Sequence, residues 1–158
     1  MTKECKQQFT LRISQANSTE LVVILYEMLL AYLEEGKEAY GQDNKLAFRE
    51  AIRKARGCIN ELMNSLHTEY EPAPALLQLY LFCINRLAVC GIRKEVKCLD
   101  EIKHVIQPLH DAYAEIAKLN TEGSVMGNSQ TVYAGLTYGR NTLTENMTDQ
   151  GSNRGMLA

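Results

Sequence analysis

Between Leu21 and Leu33 the chain reads LVVILYEMLLAYL, with Glu27 as its single charged residue. An ordinary surface helix buries one apolar stripe and gives the opposite face to water. This stretch has no polar face to give. Leu21, Leu25, Met28 and Tyr32 recur at helical spacing and predict a stripe turned toward a core. Val22, Tyr26, Leu29 and Leu33 form a second apolar face turned away from it. A helix of this kind in a soluble chain must be covered on both faces, or must keep one face for a partner.

The flanking signals delimit the elements. Asn17, with Glu20 three residues on, makes a capping box and predicts a helix from about Ser18 to Glu35. Gly36 is expected near its end, with Gly41, Gln42 and Asp43 in the following turn. Asp43 or Asn44 then caps a second helix reaching Leu66. Its stripe, Phe48, Ile52, Ala55, Ile59, Leu62 and Leu66, is heptad-like, with Arg49, Arg53, Lys54 and Arg56 on the exposed side. Gly57 inside it costs ~1 kcal/mol relative to Ala, and close approach of a neighbouring helix is the expected compensation.

A loop from His67 to Pro74 precedes a third helix from Ala75 to Cys90, whose only charge is Arg86. It too is apolar nearly all round, with Gly91 as the expected C-cap. A fourth helix, about Lys94 to Leu119, carries the stripe Val96, Leu99, Ile102, Ile106, Leu109, Tyr113 and Ile116. The stripe keeps its phase across Pro108, so a kink is expected there and not two helices.

Ahead of the long helices, Phe9, Leu11 and Ile13 alternate with polar residues. A lone strand has nothing to pair with, so an extended or single-turn arm lying on the bundle is expected. Composition shifts at Asn120: residues 120–158 hold six of the ten glycines, much Asn, Thr and Ser, and no sustained periodicity. That predicts a flexible polar tail, with one apolar cluster, Val132 to Tyr138, as a candidate hook for the bundle or a partner. The chain reads as all-α: an antiparallel up-and-down four-helix bundle over 1–119 with an N-terminal arm, then the tail over 120–158. In that topology the first and third helices lie diagonally, with their surplus apolar faces in surface grooves. Such grooves suit a helical partner or self-association.

Composition narrows the classes. At 158 residues, 46% hydrophobic and 23% charged, the chain suits one domain with a proper core. A net charge of −2 offers no basic footprint for nucleic acid. The start, MTKECKQQ, lacks the apolar core of a signal peptide. The two most apolar runs, Leu21–Leu33 and Ala75–Cys90, fall short of the ~20 residues that cross a bilayer, so no membrane insertion is expected. The five cysteines include no CxxC pair and suit a reducing cytoplasm.

No catalytic constellation emerges. Glu101 and His104 make an ExxH, but a ferritin-like metal site needs a second ExxH and carboxylates on the other helices. The third helix has no Asp or Glu, so a solvated Glu and His are the expectation. There is no phosphate loop and no GxSxG elbow. Cys83 and Cys90 lie in an apolar helix where burial makes a thiol inert. Glu27 is expected at a groove rim, paired with Arg or Lys. No enzyme activity, metal or cofactor is expected.

Five stretches in order resemble the flagellin-specific export chaperones of bacteria, the FliS family, over about Phe9 to Ile116. Ala16-Asn17-Ser18-Thr19-Glu20-Leu21 resembles the family's Ala-Ser-Pro-x-Glu-Leu lead-in, and Leu25-Tyr26-Glu27 its Leu-Tyr-Asp. Lys54-Ala55, Ile59, Glu61-Leu62 and Ser65-Leu66 are similar to its second-helix pattern, with Glu69 just beyond. Leu79-Tyr80 with Arg86-Leu87 matches the third helix, and Asp111-Ala112-Tyr113 stands where the family has Asp-Ala and an aromatic. Ser18 replaces the usual proline, Met28 a common glycine, and Cys90-Gly91 a frequent Ala-Asn.

The resemblance implies a cytoplasmic bundle that binds the disordered C-terminal region of flagellin, keeps it unpolymerised and delivers it to the export gate. It also implies an N-terminal arm over part of the groove, for which Phe9, Leu11 and Ile13 are the candidates. The expected partner-binding residues are Val22, Tyr26, Leu29, Leu30 and Leu33 on the first helix, with Leu77, Leu81 and Ile84 on the third. The expected state is a monomer or weak dimer. The rival reading is a helical bundle that covers the same faces by pairing with itself.

Overall fold

A computed structural model describes residues 1–67 and 71–119. Those residues form five helices: α1 (Lys3–Gln15), α2 (Ser18–Gly41), α3 (Lys45–Asn64), α4 (Ala73–Arg93) and α5 (Lys97–Leu119). Helix α2 packs on α3 and α5, α4 packs on the same two, and α1 lies on α2. Helices α2 and α4 are therefore the diagonal pair of a four-helix bundle, as their all-round apolar character requires. The expected tail, with its cluster Val132 to Tyr138, lies outside the described residues.

The N-terminal segment departs from expectation. It is a 13-residue helix, not an extended arm, capped by Thr2, whose hydroxyl accepts from the Cys5 amide at 3.2 Å. Met1, Cys5, Phe9 and Ile13 are all half-buried, one row at a spacing of four. The alternation of Phe9, Leu11 and Ile13 concealed that helical row, and Leu11 points outward at 59% exposure. Two ion pairs tie α1 to α2: Arg12 grips Glu27 through both nitrogens, and the N-terminal amine meets Glu35 at 3.2 Å.

Helix α2 opens on the expected capping box, with Asn17 Oδ1 accepting from the Glu20 amide at 2.9 Å. It runs on to Gly41, past Gly36, which is buried in mid-helix. A Cβ at Gly36 would stand 3.3 Å from Leu99 Cδ1 and 3.6 Å from Ala51 Cβ. The glycine thus permits a close crossing with α3 and α5; it does not end the helix. Gly57 on α3 shows the opposite: it is exposed and nothing lies within 4 Å of its would-be Cβ. No neighbour compensates it.

Helix α4 is longer than its expected Ala75–Cys90. Pro74 sits in its first turn, where a missing N–H costs nothing, and the helix passes through Gly91 to end at Lys94. Lys94 is left-handed, φ 55, and its amide donates to the Cys90 carbonyl at 2.9 Å. At 21 residues α4 is long and apolar enough to cross a membrane by length and composition alone, which corrects the shorter span expected from the sequence. In the bundle its stripe Leu76, Tyr80, Cys83, Leu87 and Cys90 is core. Its one internal charge, Arg86, pairs with Glu101 of α5 and so ties the two helices together. Helix α5 continues through Pro108 as one helix, as expected.

Candidate peptide-docking surface

Helices α2, α3, α4 and α5 bring four termini to one end of the bundle: the starts of α2 and α4 and the ends of α3 and α5. A groove of about 590 Å³ opens there, lined by Leu21, Val22 and Leu25 of α2, Leu66 beyond α3, Leu76 and Tyr80 of α4, and Tyr113 of α5. Ser18, Asn64, His67 and Glu71 give it a polar rim. None of the lining residues comes from α1, so the N-terminal helix lies along α2 and leaves this groove open.

The floor is a tyrosine cluster. Tyr26 sits behind the groove with its ring centroid 5.7 Å from Tyr113 and 6.4 Å from Tyr80, and its hydroxyl bonds to that of Tyr80. Burial raises the phenol pKa of all three, Tyr80 up to about 12. The floor is therefore neutral at any ordinary pH, an apolar surface with satisfied polar tips.

Helix α4, whose Leu76 and Tyr80 line the groove, also carries apolar side chains on the sides turned away from the core. Leu79, Leu81 and Phe82 are 37%, 39% and 43% exposed, Ile92 is 81% exposed, and Leu77, Ile84 and Val89 are half-buried. Single exposed apolar residues need no account, but several on one helix make it a candidate interaction surface.

The structure divides the residues expected to bind a partner. Val22 and Leu30 are half-buried on α2, Leu77 and Ile84 half-buried on α4, and Leu81 is exposed. Tyr26, Leu29 and Leu33 are instead core, at 0%, 0% and 1% exposure. The two faces of α2 are close to inverted: Leu21, Leu25 and Met28, expected inside, are the half-exposed ones, while Tyr32 of that stripe is buried. Both stripes have the same period, and only the positions of α3 and α5 choose between them. Leu21, Leu25, Leu66 and Tyr113, placed in core stripes by the sequence, are half-buried groove wall, and Phe82, which sequence reasoning left aside, is exposed. Tyr113 carried a signal, as the aromatic near the end of the α5 stripe, where the stripe runs out into solvent at Ile116.

The remaining chemistry is structural. Glu27 is paired, as expected, with Arg12, and His110 Nε2 stands 3.6 Å from it. Glu101 is held by Arg86 and is not simply solvated, while His104 is exposed. Among the described residues no group of three or more His, Cys, Asp or Glu could hold a metal ion. All five cysteines are free, and burial pushes Cys58, Cys83 and Cys90 up to about 12, where they stay protonated and unreactive.

Fold and surface together define a small helical bundle with an open groove at one end and exposed apolar side chains on α4. Residues 1–120 match the family model described as Flagellar protein FliS, and the chain belongs to that family. Among curated proteins it is similar to the Flagellar secretion chaperone FliS of Bacillus subtilis (strain 168). The two are 23% identical over 103 residues, which span 65% of this chain and 77% of that protein.

Proposed function

We propose that this protein is a cytoplasmic export chaperone for flagellin, binding its disordered C-terminal region, holding it unpolymerised and presenting it to the export gate. The observation that carries the reading is the set of exposed apolar side chains Leu79, Leu81 and Phe82 on α4, the helix whose Leu76 and Tyr80 line the end groove, in a chain of this family. A disordered segment must offset its own ordering cost when it binds. Laying amphipathic turns against α4 does so by burying apolar surface on both chains. The residues proposed to make contact are Val22, Leu30, Leu77, Leu81 and Ile84, joined by Leu21, Leu25, Leu79 and Phe82. Helix α1 is the proposed movable cover of α2, seated by Phe9 and Ile13 and held on its exposed side by the solvent-reached Arg12–Glu27 pair.

Calorimetric titration with the C-terminal segment of the same organism's flagellin tests the proposal. One-to-one binding with a large negative heat-capacity change and a gain in helicity is expected. A folded, monomeric sample that takes up no segment would overturn it. The exposed apolar side chains of α4 also suit pairing of two copies, and sedimentation separates the readings. A tight dimer at low concentration that ignores flagellin would favour self-association over the expected monomer or weak dimer.

A further inference from the structure

The end groove has a candidate occupant in the chain itself. The family match ends at residue 120, so residues 121–158 lie beyond the bundle that the family shares. Helix α5 ends at Leu119, on the same end of the bundle as the groove, and Tyr113 on that helix already lines it. The 39 residues after Leu119 hold one compact apolar cluster, Val132-Tyr133-Ala134-Gly135-Leu136-Thr137-Tyr138.

We infer that the segment Val132–Tyr138 seats in the end groove of its own bundle and competes there with an incoming partner helix. The competition rests on the flagellin-binding reading; the seating does not.

Reach permits it. The intervening residues 120–131 extend to at most about 40 Å, and neighbouring helices stand only about 8–10 Å apart, so the groove is within range of Leu119. Complementarity favours it. Leu21, Leu25, Leu66 and Leu76 offer apolar walls beside a polar rim, and the cluster pairs two aliphatic side chains with two tyrosines. Tyrosine suits such a half-wet site, since its ring is buried while its hydroxyl keeps a polar contact. Tethering supplies the rest. A short linker holds its segment at an effective concentration on the order of millimolar, so a contact too weak to form between separate molecules is populated within one.

A segment that occupies the groove nine-tenths of the time weakens a competitor's apparent affinity about tenfold, because only the open fraction binds. A partner that also contacts α4 outside the groove can still displace it.

The test uses the full-length chain with labelled methyl groups, at concentrations where sedimentation shows a monomer. Wild type is compared with Tyr133→Ser/Leu136→Ser, and with Leu143→Ser as a tail variant outside the cluster. Contacts between the Leu136 methyls and those of Leu25 or Leu76 are expected in wild type. Methyl shifts in the double variant should be confined to the groove, and Leu143→Ser should leave them in place. The double variant should bind the flagellin segment about tenfold more tightly. Groove methyls identical in all three proteins would overturn the seating. Contacts present with equal affinities would overturn the competition. If groove contacts are seen but neither wild type nor the double variant takes up the segment, the seating stands and the flagellin reading falls. If both bind equally with no groove contacts, the flagellin reading stands and this inference falls.

Discussion

The hydroxyl of Tyr26 on α2 is hydrogen-bonded to the hydroxyl of Tyr80 on α4, across the diagonal of the bundle. Helices α2 and α4 make no close backbone approach, so their direct link is through side chains that reach over the core. Both residues are fully buried, which gives each hydroxyl a partner it cannot replace with water. Tyr26→Phe or Tyr80→Phe leaves the other hydroxyl unsatisfied and should cost about 1–3 kcal/mol. Removing both should cost less than the two single losses added, because no orphan remains. Urea unfolding of the three variants measures the coupling, and strict additivity would deny it.

Core and surface positions of α2 and α4 should respond differently to substitution. Tyr26→Ala removes a fully buried ring and should destabilise by about 3–5 kcal/mol, whatever it does to binding. Leu81→Asp and Phe82→Ser fall on exposed positions and should leave stability within about 0.5 kcal/mol. Under the proposed function these two weaken uptake of the flagellin segment. Unfolding midpoints measured beside binding isotherms separate the effects.

Two glycines in helices should behave in opposite ways. Gly57→Ala meets open space and should stabilise by about 1 kcal/mol through helix propensity. Gly36→Ala places a methyl 3.3 Å from Leu99 at the crossing with α5 and should destabilise. A thermal scan of both variants checks the pair, and equal shifts of one sign would contradict the packing described.

Alkaline pH should unfold this protein. Burial pushes the thiols of Cys58, Cys83 and Cys90 from 9.0 up to about 12, and the phenol of Tyr80 from 10.0 up to about 12. These are acids held neutral by the fold, so above the ordinary thiol value the unfolded chain releases protons that the folded chain retains. Their contribution is complete below about pH 9 and is lost as pH rises toward 12. Denaturant midpoints under reducing conditions should be level through neutral pH and fall progressively above about pH 9.

The same burial orders the thiols by reactivity. Cys5 is half-buried on α1, while the other four cysteines are buried. A thiol reagent at neutral pH should label one cysteine quickly and the other four only as the bundle opens. Four fast-reacting thiols would mean that the core is not closed as described.

Much of the fold was legible in sequence because helices announce themselves locally. The Asn17–Glu20 capping box, the stripe from Phe48 to Leu62 and the unbroken phase across Pro108 depend on residues within a few turns of one another. Their backbone hydrogen bonds are equally local. The all-round apolar character of α2 and α4 also implied their diagonal placement, since each needed cover on two sides. The N-terminal row Met1, Cys5, Phe9 and Ile13 was legible in principle, but a shorter alternation masked it.

What only the tertiary structure decided is which face of each helix is inside. Along α2 two apolar stripes share one period, and Tyr26, Leu29 and Leu33 became core because α3 and α5 pack on that side. Leu21 and Leu25 became groove wall for the complementary reason. Gly36 reads in the chain as a helix end and Gly57 as a close crossing, yet Gly36 lies in mid-helix under Leu99 and Gly57 faces open space. Burial is a relation between elements distant in sequence, so periodicity sets how many faces a helix has, and packing alone assigns them to the core or to a partner.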